Sequence, residues 1–215
     1  MDNIKNIIFD LGGVVIDLDR SLAVHALENL GVSDADSLLG QYAQKGPFLL
    51  LESGIMTDAQ FYDAILPYCR PATTCSEIQE AFNRFLVDLP VERLATIRDL
   101  RARGFKVYML SNTNPVMYNG WIDLAFRQEG RMVNDYFDGI VVSFQERVCK
   151  PDPLIFRNII SRYDLNPAET LFLDDSEANC ESARSLGLKA THITKTGASS
   201  FAEVCRRLKE EGPAK

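Results

Sequence analysis

The sequence predicts an α/β protein with a helical insertion, and three observations point there. Over residues 90–210, apolar runs of strand length alternate with helical patterns. Strand, crossover helix and strand in repetition build a parallel sheet with helices on both faces. Between the first strand and this alternation lie residues 18–88, where helical segments follow one another with no convincing strand. The chain has 215 residues, 46% of them apolar and 25% charged. That is long enough for one large domain or a domain carrying a small insertion. The expected division is a core of residues 1–17 and 89–215 around an all-helical cap, 18–88.

The elements follow in order. Residues 4–9 (IKNIIF) read as a short buried strand that ends just before Asp10, and Gly12 and Gly13 supply a turn free of Cβ crowding. A helical pattern over 19–31 (Leu22, Val24, Ala26, Leu27, Leu30) meets its stop at Gly31. Helix 57–66 begins with Thr57 and Gln60 at capping-box spacing. Ile78, Ala81, Phe82, Phe85 and Leu86 give residues 76–86 a helical period. After Pro90 come helix 91–103, strand 105–110, a helical stretch over 115–129, strand 139–142, helix 153–163, strand 170–173, helix 176–186, strand 189–193 and a helix ending near 210.

A net charge of −7 argues against nucleic acid as a partner, because backbone binding needs clustered Lys and Arg. No segment approaches the length of a membrane span and the first residues do not resemble a signal peptide, so a cytoplasmic protein is expected. Five scattered cysteines do not suggest a disulfide framework. Cys149, beside Lys150, is expected to be an unreactive thiol. The sequence carries no signal for an oligomeric state.

Four short motifs carry the chemistry: FDLGGVV at 9–15, LSNTN at 110–114, CKPDP at 149–153 and LFLDDSEAN at 171–179. Each lies at or after the end of an apolar run, and open α/β sheets bind ligands beyond the carboxyl ends of their strands. Asp10 is the candidate nucleophile: a carboxylate there can attack phosphorus and divide one displacement into two easier ones. Ser111 and Asn112 offer a hydroxyl and an amide to phosphoryl oxygens. Lys150 precedes Pro151 and Pro153, which restrict the backbone there, and it can pair with Asp10 and with bound phosphate. Asp174 and Asp175 repel each other unless a cation is present, and Mg²⁺ takes carboxylate, phosphate and water oxygens. Asn179 is placed to hold that loop. His25 and His192 are too isolated to count as ligands, and Phe48, Phe61, Tyr62, Tyr68 and Trp121 are expected to build core rather than stack on a substrate.

With these motifs in this order, the chain resembles the haloacid dehalogenase-like hydrolases, in particular bacterial sugar phosphatases of the α-D-glucose-1-phosphate phosphatase type. The resemblance implies a Rossmann-like core, Mg²⁺ dependence and hydrolysis of a small phosphate ester through a phosphoaspartate on Asp10. It also implies that Gly12 gives its backbone carbonyl to the metal beside Asp10, Asp174 and Asp175. Most phosphatases of this kind carry an acid two residues after the nucleophile, where this chain has Gly12; Asp17 and Asp19 are candidate substitutes, with solvated linker positions as the plainer role. A dehalogenase that attacks carbon with Asp10, and a binding protein of weak activity, are the competing readings.

Overall fold

The structure is a computed structural model and describes residues 3–40 and 42–214. Its centre is β1 (Asn6–Phe9), paired in parallel with β4 (Lys106–Ser111) on one side and β6 (Thr170–Asp174) on the other. Outside these lie β5 (Gly139–Val142) and β7 (Lys189–His192), giving the order β5-β4-β1-β6-β7. Ile7, Ile8 and Phe9 are fully buried because helices cover both faces, which is why the strand reads as a continuous apolar run.

Side-chain alternation divides the core in two. Ile7, Phe9, Val107, Met109, Leu171 and Leu173 face α6 (Val91–Ala102) and α12 (Phe201–Glu211), with Phe9 and Phe201 ring centroids 5.7 Å apart. Ile8, Tyr108, Leu110 and Phe172 face α10 (Pro153–Arg162) and α11 (Glu177–Ser185), where Phe156 meets Phe172 edge-on at 5.2 Å. From β1 the chain builds outward through β4 to β5, then returns to build β6 and β7 on the other side. The direction of winding therefore reverses at β1, and such a switch point leaves a crevice beyond the carboxyl ends of its strands.

The insertion is helical as expected: α1 (Arg20–Asn29), α2 (Ala35–Leu38), α3 (Gly46–Glu52), α4 (Asp58–Ile65) and α5 (Cys75–Asn83). Thr57 and Gln60 form the reciprocal capping box, and Thr74 with Glu77 forms another. Phe48, Phe61 and Phe82 pack against one another with centroids 4.9–5.7 Å apart, the core role expected of the first two. The absence of strands from this stretch needs correction. Asp17–Leu18 (β2) pairs antiparallel with Leu86–Asp88 (β3), so both crossings between core and insertion run side by side in a two-stranded ribbon. Leu86 belongs to that ribbon and not to the preceding helix. A strand this short leaves little alternation to read.

The stretch 115–129 is a broken helix: α7 (Pro115–Met117), a π turn (Tyr118–Ile122) and α8 (Asp123–Phe126), ending in a 3₁₀ turn. After β5, α9 (Ser143–Glu146) intervenes before the CKPDP segment. Among the described residues no helix is long and apolar enough to cross a membrane.

Candidate active site

Three neighbouring strands deliver three of the four motifs. Asp10 follows the last residue of β1, Ser111 ends β4 and Asp174 ends β6, so strand spacing alone sets Ser111 and Asp174 about 5 Å to either side of Asp10. Lys150 comes from the loop before α10 and reaches beneath them. Its Nζ is 2.7 Å from Asp10 Oδ1, 2.7 Å from Asp174 Oδ2 and 3.1 Å from the Leu110 carbonyl. It is only 4% exposed. Burial favours its neutral form, but the two carboxylates outweigh burial and hold it protonated.

Asp10 Oδ1 also accepts the Leu11 N–H at 2.7 Å. Burial pushes the Asp10 carboxyl up; Lys150 opposes this, and Asp174 and Asp175 reinforce it. Asp174 has every lone pair occupied from within the protein. Oδ1 accepts from Ser176 N–H (2.8 Å) and Asn179 Nδ2 (2.9 Å), and Oδ2 from Lys150 and Asn179 (3.1 Å). Asn179 thus holds the loop as the sequence suggested.

Asp175 turns the other way, onto the pocket wall. Burial raises its carboxyl to about 6, helped by Asp174 and opposed by Lys150. Gly13 makes the room for it: the residue has φ +75°, and a Cβ there would lie 2.1 Å from Asp175 Oδ2. The Asp175 carbonyl is 2.9 Å from His192 Nε2, so that histidine props the loop from behind. Oxygens of Asp10, Asp174 and Asp175 come within 4.8 Å of one another. Three carboxylates against one ammonium leave a local excess of negative charge on hard oxygen donors, the environment that suits a divalent cation such as Mg²⁺.

Ser111 and Asn112 both reach the pocket wall. The Asn112 amide, expected to donate to phosphate, has another task. Its Nδ2 donates to the Lys150 carbonyl (2.9 Å) and its Oδ1 accepts the Lys150 N–H (2.8 Å), clamping the lysine's backbone to β4. Asn114 caps α7 through the Met117 N–H. Burial pushes the Cys149 thiol up to about 12, which disfavours the thiolate, in line with the unreactive thiol expected. Neither substitute acid faces the site: Asp17 pairs with Arg93 at 2.8 Å, and Asp19 caps α1 through the Ser21 N–H at 2.9 Å.

The insertion closes the pocket with Tyr42, Gln44 and Glu52, none of which the sequence reading singled out. A signal was present for Glu52. It stands at i+4 from Phe48 and i+1 from Leu51 on the apolar stripe of α3, and all three are buried.

The sequence and the fold have counterparts among known proteins. The chain is 38% identical, over 86% of its length and 90% of the relative's, to the D-ribitol-5-phosphate phosphatase of Bacteroides thetaiotaomicron. It superposes on a HAD family enzyme from Bacteroides thetaiotaomicron, solved with magnesium and inorganic phosphate, with TM-score 0.83 and 34% identity, covering 90% of this chain and 96% of that one. A predicted HAD-like family hydrolase from Porphyromonas gingivalis matches with TM-score 0.81 and 34% identity over 87% and 90% of the two chains. The pattern of the haloacid dehalogenase-like hydrolases matches residues 4–187, and the chain belongs to that family.

Proposed function

We propose that this protein is a Mg²⁺-dependent phosphatase of small phosphorylated polyols or sugars, acting through a phosphoaspartate on Asp10. The observation that carries the reading is the buried pairing of Asp10 and Asp174 with Lys150, beside an Asp175 carboxylate left facing the pocket. A dehalogenase, whose nucleophile attacks carbon, has no need of a magnesium site there. An anionic nucleophile that must meet an anionic phosphate has that need. The relatedness to a D-ribitol-5-phosphate phosphatase points the same way.

Asp10, Asp175 and the Gly12 carbonyl would hold the metal, while Asp174 stays committed to Lys150 and Asn179. The cation supplies charge neutralisation between nucleophile and substrate and orients the phosphoryl group. Lys150 and Leu11 N–H fix Asp10 through Oδ1, which leaves Oδ2 without a protein donor among the described residues. Asp10 attacks phosphorus and the ester P–O bond breaks. Ser111 Oγ and the backbone at Asn112 hold phosphoryl oxygens. Water then attacks phosphorus and returns the electron pair to Asp10.

Residues 18–88 serve as a cap, hinged at the β2–β3 ribbon, that shuts water out during the first step. Gln44 contributes to polyol recognition: its Oε1 is buried with no hydrogen-bond partner and lines the pocket, a neutral acceptor suited to a hydroxyl.

The test is phosphate release from a panel that includes ribitol 5-phosphate and α-D-glucose 1-phosphate, with Mg²⁺ and with chelator. Magnesium-dependent release, ranked toward polyol and sugar esters, is expected. Release that ignores the chelator, or none from any ester, overturns the reading.

A further inference from the structure

An alkoxide leaving group is a poor one, and a positioned acid that protonates it is worth on the order of 10²–10⁴-fold in rate. Position 12 cannot supply this acid. It is glycine, and the direction its side chain would take is filled: a Cβ there would meet Leu18 Cδ1 at 2.9 Å. Asp17 and Asp19 are engaged elsewhere. Among the described residues, the carboxylates on the pocket wall are Asp10, Asp175 and Glu52, and the first two are already assigned.

Glu52 is 7% exposed, and the structure gives its carboxylate no hydrogen-bond or ion-pair partner among the described residues. Its backbone is pinned to the core. The Glu52 carbonyl accepts from Ser143 Oγ at 2.7 Å, and Ser143 Oγ in turn accepts the Thr113 N–H at 3.0 Å in the LSNTN loop. Two residues on, Gly54 passes so close to α9 that a Cβ would lie 1.9 Å from the Phe144 carbonyl. The acid is therefore cap-borne but held against the phosphate-binding loop.

We infer that Glu52 is a catalytic residue that protonates the leaving-group oxygen and then accepts the proton of the attacking water; this rests on the phosphatase reading. In the first step Asp10 forms its bond to phosphorus, the ester P–O bond breaks, and the departing oxygen takes its proton from the Glu52 carboxyl. In the second, water bonds to phosphorus, the P–O bond to Asp10 breaks, and the water proton passes to the Glu52 carboxylate, restoring both groups.

The surroundings favour the protonated form of this acid. Burial raises its carboxyl to about 7, opposed by Lys150, whose ammonium is already shared between two other carboxylates. Cys149, facing it from the loop before α10, is neutral, and Asp10, Asp175 and Tyr42 complete the ionisable groups of the wall. A bound phosphate dianion disfavours a second negative charge there and adds to the effect. The acid is complete only when α3 is docked, so chemistry is coupled to cap closure.

The experiment compares wild type and Glu52→Gln, with Mg²⁺, on an alkyl phosphate and on p-nitrophenyl phosphate, whose leaving group needs no proton. Turnover of the alkyl ester should fall by about 10²–10⁴-fold. With the aryl ester, Glu52→Gln should show a stoichiometric burst of nitrophenolate followed by slow turnover, since phosphorylation survives and hydrolysis does not. In wild type, kcat/KM for the alkyl ester should fall above about pH 7 along a limb absent with the aryl ester. A variant equally impaired on both esters with no burst, wild-type turnover of the alkyl ester, or identical pH limbs would each overturn the inference. Wild type inactive on every ester would instead remove the phosphatase reading on which it stands.

Discussion

Replacing Gly13 with alanine places a methyl group where the Asp175 carboxylate now lies. Two effects separate. The residue has φ +75°, and an L side chain in that region costs about 1–2 kcal/mol. For a chain of this size that amounts to a melting temperature lower by about 2–8 °C. The new Cβ would also stand 2.1 Å from Oδ2 and 2.5 Å from Cγ of Asp175, so the carboxylate must retreat by about an ångström or more to reach ordinary contact. Outer-sphere changes at metal sites cost about 10–100-fold in affinity, and displacing a ligand should cost at least that. Gly130→Ala is the control: it shares a left-handed φ of +69° but meets nothing within 4 Å. Calorimetric titration of Mg²⁺, with thermal melts of the metal-free proteins, reads both effects. Both variants should melt lower, and Gly13→Ala alone should lose Mg²⁺. Wild-type Mg²⁺ affinity in Gly13→Ala would refute the placement of Asp175 as a ligand.

Removing Lys150 strands two buried carboxylates, and breaking such a pair costs about 3–5 kcal/mol, so Lys150→Met should unfold at markedly lower denaturant; an unchanged midpoint would contradict the buried pairing. The pH dependence of metal-free stability has a definite sign. Asp175 and Glu52 carry carboxyls raised to about 6 and about 7, so the native state binds more protons than the unfolded chain between about pH 4 and 7. Their contribution is complete below the unfolded pKa and is lost as pH rises through the folded values. The metal-free protein should melt lower at pH 8 than at pH 5, with Mg²⁺ narrowing the gap; a metal-free protein that melts higher at pH 8 would count against the buried acids.

The fold was legible because its signals are local. Ile7–Phe9 is apolar throughout because β1 is covered on both faces, and Thr57 with Gln60 announces a helix start through bonds between near neighbours. The site was legible where it follows from strand ends, as for Asp10, Ser111 and Asp174. What remained hidden depends on distant contacts. Leu86–Asp88 becomes a strand only because Asp17–Leu18 lies beside it. The Asn112 amide serves Lys150, 38 residues away, and nothing in LSNTN reveals that partner. Asp174 and Asp175 look equivalent in sequence, yet Lys150 and Asn179 claim one while the bare face of Gly13 receives the other. Glu52 joins the site through a cap docked on Ser143, although its place on an apolar helix stripe marked it as unusual.

The covalent role of Asp10 is tested most directly by rapid acid quench of a single turnover with a substrate carrying labelled phosphoryl phosphorus. The account predicts protein-bound label that rises and decays with Mg²⁺ present, is released by hydroxylamine, maps to the peptide containing Asp10, and is absent from folded Asp10→Asn. Turnover with no protein-bound label at any time, or label retained in Asp10→Asn, would contradict it.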